Sequence, residues 1–167
     1  MRETIITTFK RNIVEIVRMV HEIDDSKLYR QSTQFLPDTI CHPMWTLGHL
    51  ITSTMGMREE MHEILDPSID DFRQWTEKYG QHSDPISDPS FYHRKDELIA
   101  VLESQVNAAE KTLRALTDEQ LSGPMPDKRY RHIYPSLFHV CASIFIMHSA
   151  EHVKMLSVWK YYVESIP

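Results

Sequence analysis

The 167-residue chain is 41% apolar and 25% charged with only four glycines, an ordinary globular composition that argues against a turn-rich all-β fold. Its length fits one domain over residues 1–167, long enough to bury a core and too short for two comfortable ones. Eighteen Lys and Arg against 24 Asp and Glu give a formal charge of −6, which repels phosphate backbones and anionic membranes and removes nucleic acid and membrane surfaces from the expected partners.

Residues 2–24 place Ile6, Phe9, Ile13, Ile16, Val17 and Val20 on one helical stripe. A second helix is predicted from Pro43, a residue suited to a first helical turn, to about Leu65. The link over 66–90 holds Pro67, Gly80, Pro85 and Pro89, with room for one short helix near 71–79. A third helix follows Asp88-Pro89-Ser90, with Asp88 or Ser90 as its N-cap and Leu98, Leu102, Val106, Ala109, Leu113 and Leu116 as its stripe. Gly123, Pro124, Pro126 and Pro135 break the chain before a fourth helix, which starts near Pro135 and reaches almost to the end. Its stripe is Leu137, Cys141, Ile144, His148, His152 (or Glu151), Met155 and Trp159. Long links, including 24–42, suit crossover connections or loops that cap a site. The pattern predicts an all-α fold, a four-helix bundle with long crossover connections.

The start, Met1-Arg2-Glu3, lacks a secretory pattern, and no stretch approaches the roughly 18 apolar residues of a membrane span. Two cysteines, Cys41 and Cys141, are too few for a disulfide framework. A reducing cytoplasm is the expected compartment.

Ten histidines are many for this length, and most need no functional reading. His21 meets the negative end of the first helix dipole. His42, His82, His93 and His132 fall in or beside loops, and His62 and His139 have no histidine partner at helical spacing. His148 and His152 differ, because their i, i+4 spacing stacks two imidazoles on the core stripe of the last helix. Buried imidazoles need a partner for each ring nitrogen, and one metal ion serves both; the alternative is a pair of core histidines bonded to neighbouring side chains or water. His49 is the natural third ligand. It lies away from the stripe of Met44, Leu47, Ile51, Met55 and Leu65, on a face with Trp45, Thr52 and Gly56 that could be solvent or could line a polar cavity, with Gly48 and Gly56 leaving room for a ligand. Three protein ligands would leave a position open, where a bound water would acidify or a thiol would bind as thiolate.

Competing motifs are weaker. His148-Ser149-Ala150-Glu151-His152 spells H-x-x-E-H, yet that peptidase signature needs a carboxylate ligand well downstream, and Glu164 is the single acidic residue after His152. Glu59-Glu60-Met61-His62 holds one Glu-x-x-His, half of what a di-iron bundle requires. Cys141, two turns before His148, reads as a small buried hydrophobe. The basic run Lys128-Arg129-Tyr130-Arg131-His132 is solvated, or else greets an anionic substrate.

The run Pro43-Met44-Trp45-Thr46-Leu47-Gly48-His49-Leu50 resembles the second-helix motif of the DinB-like proteins, in which a tryptophan and a glycine precede a metal-binding histidine. The run His148-Ser149-Ala150-Glu151-His152-Val153-Lys154-Met155-Leu156 is similar to that family's last-helix motif, apart from Met155 where glutamine is frequent. The resemblance implies a four-helix bundle, a cavity holding a divalent transition metal on His49, His148 and His152, and a homodimer. It also implies that His49 faces that cavity. Zinc or nickel is the expected metal, and a small molecule the expected substrate. Relatives with known function include transferases and isomerases that use low-molecular-weight thiols, so the expected activity is a metal-dependent thiol transferase. The alternatives are a metal-dependent hydrolase and a non-catalytic metal-stabilised bundle. Glu151 is a candidate partner behind the ligands, without a catalytic role.

Overall fold

The computed structural model describes residues 1–31, 40–61 and 72–165. Its helices are α1 (Arg2–Glu22), α2 (Pro43–Glu60), α3 (Phe72–Tyr79), α4 (Lys95–Ala115), α5 (Asp118–Ser122), α6 (Leu137–Cys141) and α7 (Ser149–Ser165), with no strand among the described residues. A π-helical turn, Ala142–His148, joins α6 to α7, and the residues at both junctions stay in the right-handed helical region. The last helix thus runs unbroken from Leu137 to Ser165.

The long helices touch in a closed ring: α2 packs on α4, α4 on α1, α1 on the π turn and α7, and these on α2. The all-α expectation holds. Ile6, Phe9, Ile13, Ile16 and Val20 of α1 are buried as the stripe predicts, while Val17 is half-buried. Leu98, Leu102, Val106, Ala109 and Leu113 of α4 face the same core. Each fully buried aliphatic chain contributes on the order of 1.5–3 kcal/mol. Between α2 and α4 the buried Arg58 donates from Nη1 to Gln105 Oε1.

Several expectations need correction. Asp88 caps the short 3-10 turn Pro89–Phe91, its side chain accepting from the Ser90 N–H, and α4 begins at Lys95 without a side-chain cap. The last helix begins at Leu137 with Ser136 as its N-cap, close to the expected start near Pro135. Its buried stripe is Leu137, Cys141, Phe145, Ser149, His152, Leu156 and Trp159, and Ile144, His148 and Met155 are half-buried. The π turn causes the difference, because a wider turn keeps a spacing of four in phase where an α-helix drifts. Helix α5 has a full capping box between Thr117 and Gln120. Helix α2 is described to Glu60, and its expected continuation to Leu65, with His62 and Pro67, lies outside the described residues. No described helix is long and apolar enough to cross a membrane.

Candidate metal centre

Helix α2 is buried on every side in its first half: each residue from His42 to Thr52 is buried. The expected stripe of Met44, Leu47, Ile51 and Met55 is buried, and so is the opposite face, so the side carrying His49 is interior rather than solvent. His49 is 7% exposed. Gly48 leaves no room for a ligand, as a Cβ there would lie 2.1 Å from Tyr79 Cδ1; the notch is filled by the Tyr79 ring. Tyr79 ends α3 at 0% exposure, and its phenol is held by the His93 ring (Nδ1 at 2.8 Å) and the His93 N–H (3.1 Å).

That seating fixes His49. Its Nδ1–H donates to the Tyr79 carbonyl at 2.8 Å, and Trp45 stacks on the ring at 4.5 Å with an 11° interplanar angle. A carbonyl only accepts, so Nδ1 carries the proton and Nε2 of the neutral ring presents a lone pair. His148 Nε2 lies 3.1 Å from His49 Nε2 and 3.1 Å from His152 Nε2. All three ligand nitrogens fall within 4.8 Å of one another. Sequence spacing thus finds the two histidines of the last helix, and the fold adds His49 from 99 residues away.

Burial, the largest cause in each case, pushes His49 down to about 4, His152 to about 2, and His148 below its usual value. The rings are therefore neutral at pH 7. With Nε2 of His49 a lone pair, no placement of protons gives both 3.1 Å contacts a well-aligned hydrogen bond. A cation that accepts all three lone pairs resolves the conflict. The Nδ1 atoms of His148 and His152 are buried without a hydrogen-bond partner among the described residues. The donor set, three neutral imidazoles, fits zinc, nickel, copper or iron.

His49 and His148 form part of the wall of a cavity of about 470 Å³. Thr52, Ser53, Thr76, Tyr134 and Ser143 bring hydroxyl groups to it, and Ile144 and Met147 form an apolar stretch. Glu151 reaches the same wall and is exposed. The basic loop supplies none of the described lining: Arg129 pairs with Asp127 at 2.6 Å, and Arg131 Nε donates to the Met125 carbonyl at 2.6 Å. Cys141 is fully buried with its thiol pushed up to about 12, and half-buried Cys41 is pushed up to about 11, both by burial; neither serves as a thiolate nucleophile at pH 7.

Sequence reasoning missed the histidines with supporting roles. His42 is the buried N-cap of α2: its Nδ1 accepts from the Trp45 N–H at 3.2 Å, and its Nε2 lies 3.0 Å from the Ile86 carbonyl and 3.1 Å from the Tyr92 hydroxyl. His93 is stacked on Trp75 at 4.4 Å. The Pro-Met-Trp run after His42 marks a helix start, but a histidine is not among the usual caps. His21, His82, His132 and His139 are exposed.

Fold and site together define an all-helical protein whose three convergent histidines could hold a metal ion beside a polar cavity. The chain belongs to the DinB superfamily, whose family model matches residues 8–156. No curated protein and no solved structure matches it.

Proposed function

We propose that His49, His148 and His152 hold a divalent transition metal, zinc or nickel, and that the protein is a metal-dependent transferase joining a low-molecular-weight thiol to a small-molecule electrophile. The observation that carries this reading is the convergence of three neutral imidazoles on the wall of a cavity large enough for a small molecule. Two of the three histidines, His49 and His148, line that cavity, which places the centre beside a space where a ligand can bind. When bound, the metal supplies Lewis acidity, which lowers the pKa of a thiol placed in its open position. The protein's own part is to orient and to bind. Tyr79 and Trp45 fix the His49 ring, Thr52, Ser53, Thr76, Tyr134 and Ser143 make the cavity wall polar, and Ile144 with Met147 makes it apolar on one stretch. Membership of the DinB superfamily, in which some relatives of known function use low-molecular-weight thiols, supports the thiol partner.

A metal-dependent hydrolase is the second reading, favoured by the polar wall of the cavity beside the histidines, which admits water as well as a thiol. The two separate in one assay of the zinc- or nickel-loaded protein against aryl halides and aryl esters, with and without a thiol panel. Turnover of a halide that needs both metal and thiol supports the transferase. Ester cleavage without thiol overturns it in favour of the hydrolase, and no turnover of either class leaves a metal-stabilised bundle. The homodimer is part of this proposal, and sedimentation velocity tests it.

A further inference from the structure

A helical turn that pairs residues five apart is rare, and it persists where something holds it. In this protein the widened turn ends on His148, the nitrogen donor that touches both others. Two buried polar side chains meet at the turn. Ser149, with no exposure, donates from Oγ to the Phe145 carbonyl at 2.7 Å, with the Ile146 carbonyl at 3.3 Å. Asn12 of α1, 6% exposed, donates from Nδ2 to Ser149 Oγ at 2.8 Å and to the Ile146 carbonyl at 3.3 Å. An amide among Phe9, Ile13 and Ile16 is costly to bury unless it is bonded, and these bonds go to Ile146 in the turn and to Ser149 directly after it. The Phe9 and Phe145 rings pack beside them at 4.8 Å.

We propose that Asn12 and Ser149 are positioning residues for the candidate ligand His148: together they clamp the π turn to α1 and so hold His148 Nε2 against His49 and His152. This inference rests on the metal reading above. A ligand held by outer partners typically loses about 10–100-fold in metal affinity when they are removed. A purely structural role would lower stability and leave affinity unchanged.

The test is a cobalt(II) titration of untagged, metal-free protein, read by chelator competition and by the visible ligand-field spectrum. The double variant Asn12→Leu/Ser149→Ala replaces both partners with apolar groups, a change that is often near neutral for folding. The control is Thr54→Val, which removes a buried hydroxyl bonded to the Leu50 carbonyl at 2.7 Å and does not line the cavity. The parent should bind one cobalt per chain. The double variant should bind about 10–100-fold more weakly with an altered spectrum, while Thr54→Val loses stability and keeps both readouts. Parent-like affinity and spectrum in the double variant overturn the clamp and leave the metal centre standing. Should the double variant fail to fold by circular dichroism, Ser149→Ala alone is read by the same two outcomes. A parent that binds no cobalt overturns the metal reading and the clamp with it.

Discussion

An ordinary glycine-to-alanine change inside a helix stabilises it by up to about 1 kcal/mol. Gly48→Ala should do the opposite. The new Cβ would fall 2.1, 2.3 and 2.4 Å from Cδ1, Cγ and Cε1 of Tyr79. Carbon atoms settle at roughly 3.5–4.0 Å, so the ring has to retreat by more than about 1 Å. Tyr79 has 0% exposure and its hydroxyl is tied to His93, which blocks easy escape. Overpacking of this kind costs about 1–3 kcal/mol. The same retreat stretches the 2.8 Å bond from His49 Nδ1 to the Tyr79 carbonyl beyond hydrogen-bonding range, leaving a buried N–H unpaired for a further roughly 1–3 kcal/mol. Against the helical gain, the net expectation is a destabilisation of about 3 kcal/mol, measured as a lower urea midpoint in the metal-free protein. Metal affinity should fall as well, because His49 loses the partner that sets its tautomer. A variant as stable as the parent, or more so, would refute the seating of Tyr79 in the glycine notch.

Burial keeps His42 and His49 neutral down to about pH 4, whereas in the unfolded chain each gains a proton near pH 6.5. The unfolded state therefore binds more protons below 6.5, and stability present above that pH is lost as pH falls toward 4, by roughly 2 kcal/mol for each of these two residues at pH 5. A urea midpoint for the metal-free protein that does not change between pH 7 and pH 5 would contradict this burial. His42→Ala removes the cap of α2 and leaves the Ile86 carbonyl and Tyr92 hydroxyl short of a partner, so thermal unfolding should show a loss of about 2–4 kcal/mol with metal stoichiometry intact. Tyr79→Phe deletes the bond to His93 but keeps both the ring in the notch and the carbonyl facing His49. Its metal affinity, measured by chelator competition, should match the parent's, and a large drop would mean that the hydroxyl rather than the carbonyl matters to the centre.

The long helices of the ring and the pairing of His148 with His152 are legible in the sequence because both depend on local spacing. Amphipathic periodicity marks α1 and α4, whose outer faces meet water, and the i, i+4 rule marks His148 with His152. On α2 the stripe of Met44, Leu47, Ile51 and Met55 is buried as expected, but periodicity leaves the face of His49 open because the first half of the helix is buried all round; the resemblance of its Trp-Thr-Leu-Gly-His run, rather than periodicity, points to His49. The phase of the last helix departs from the expected stripe at Ile144 and Met155 because nothing local announces a π turn. Its support comes from Asn12, 137 residues from Ser149. Tyr79 was equally hidden: its carbonyl is a backbone group, and only the fold shows that it meets the ring 30 residues earlier.

Metal content of the purified, untagged chain, measured by plasma mass spectrometry on the parent and on His49→Ala, His148→Ala and His152→Ala, tests the three-histidine centre most directly. About one zinc or nickel per parent chain, lost in each variant while the helical spectrum persists, is the predicted result. A parent that takes up no metal after incubation with zinc and nickel, or variants that retain it in full, would contradict the assignment of His49, His148 and His152 as ligands.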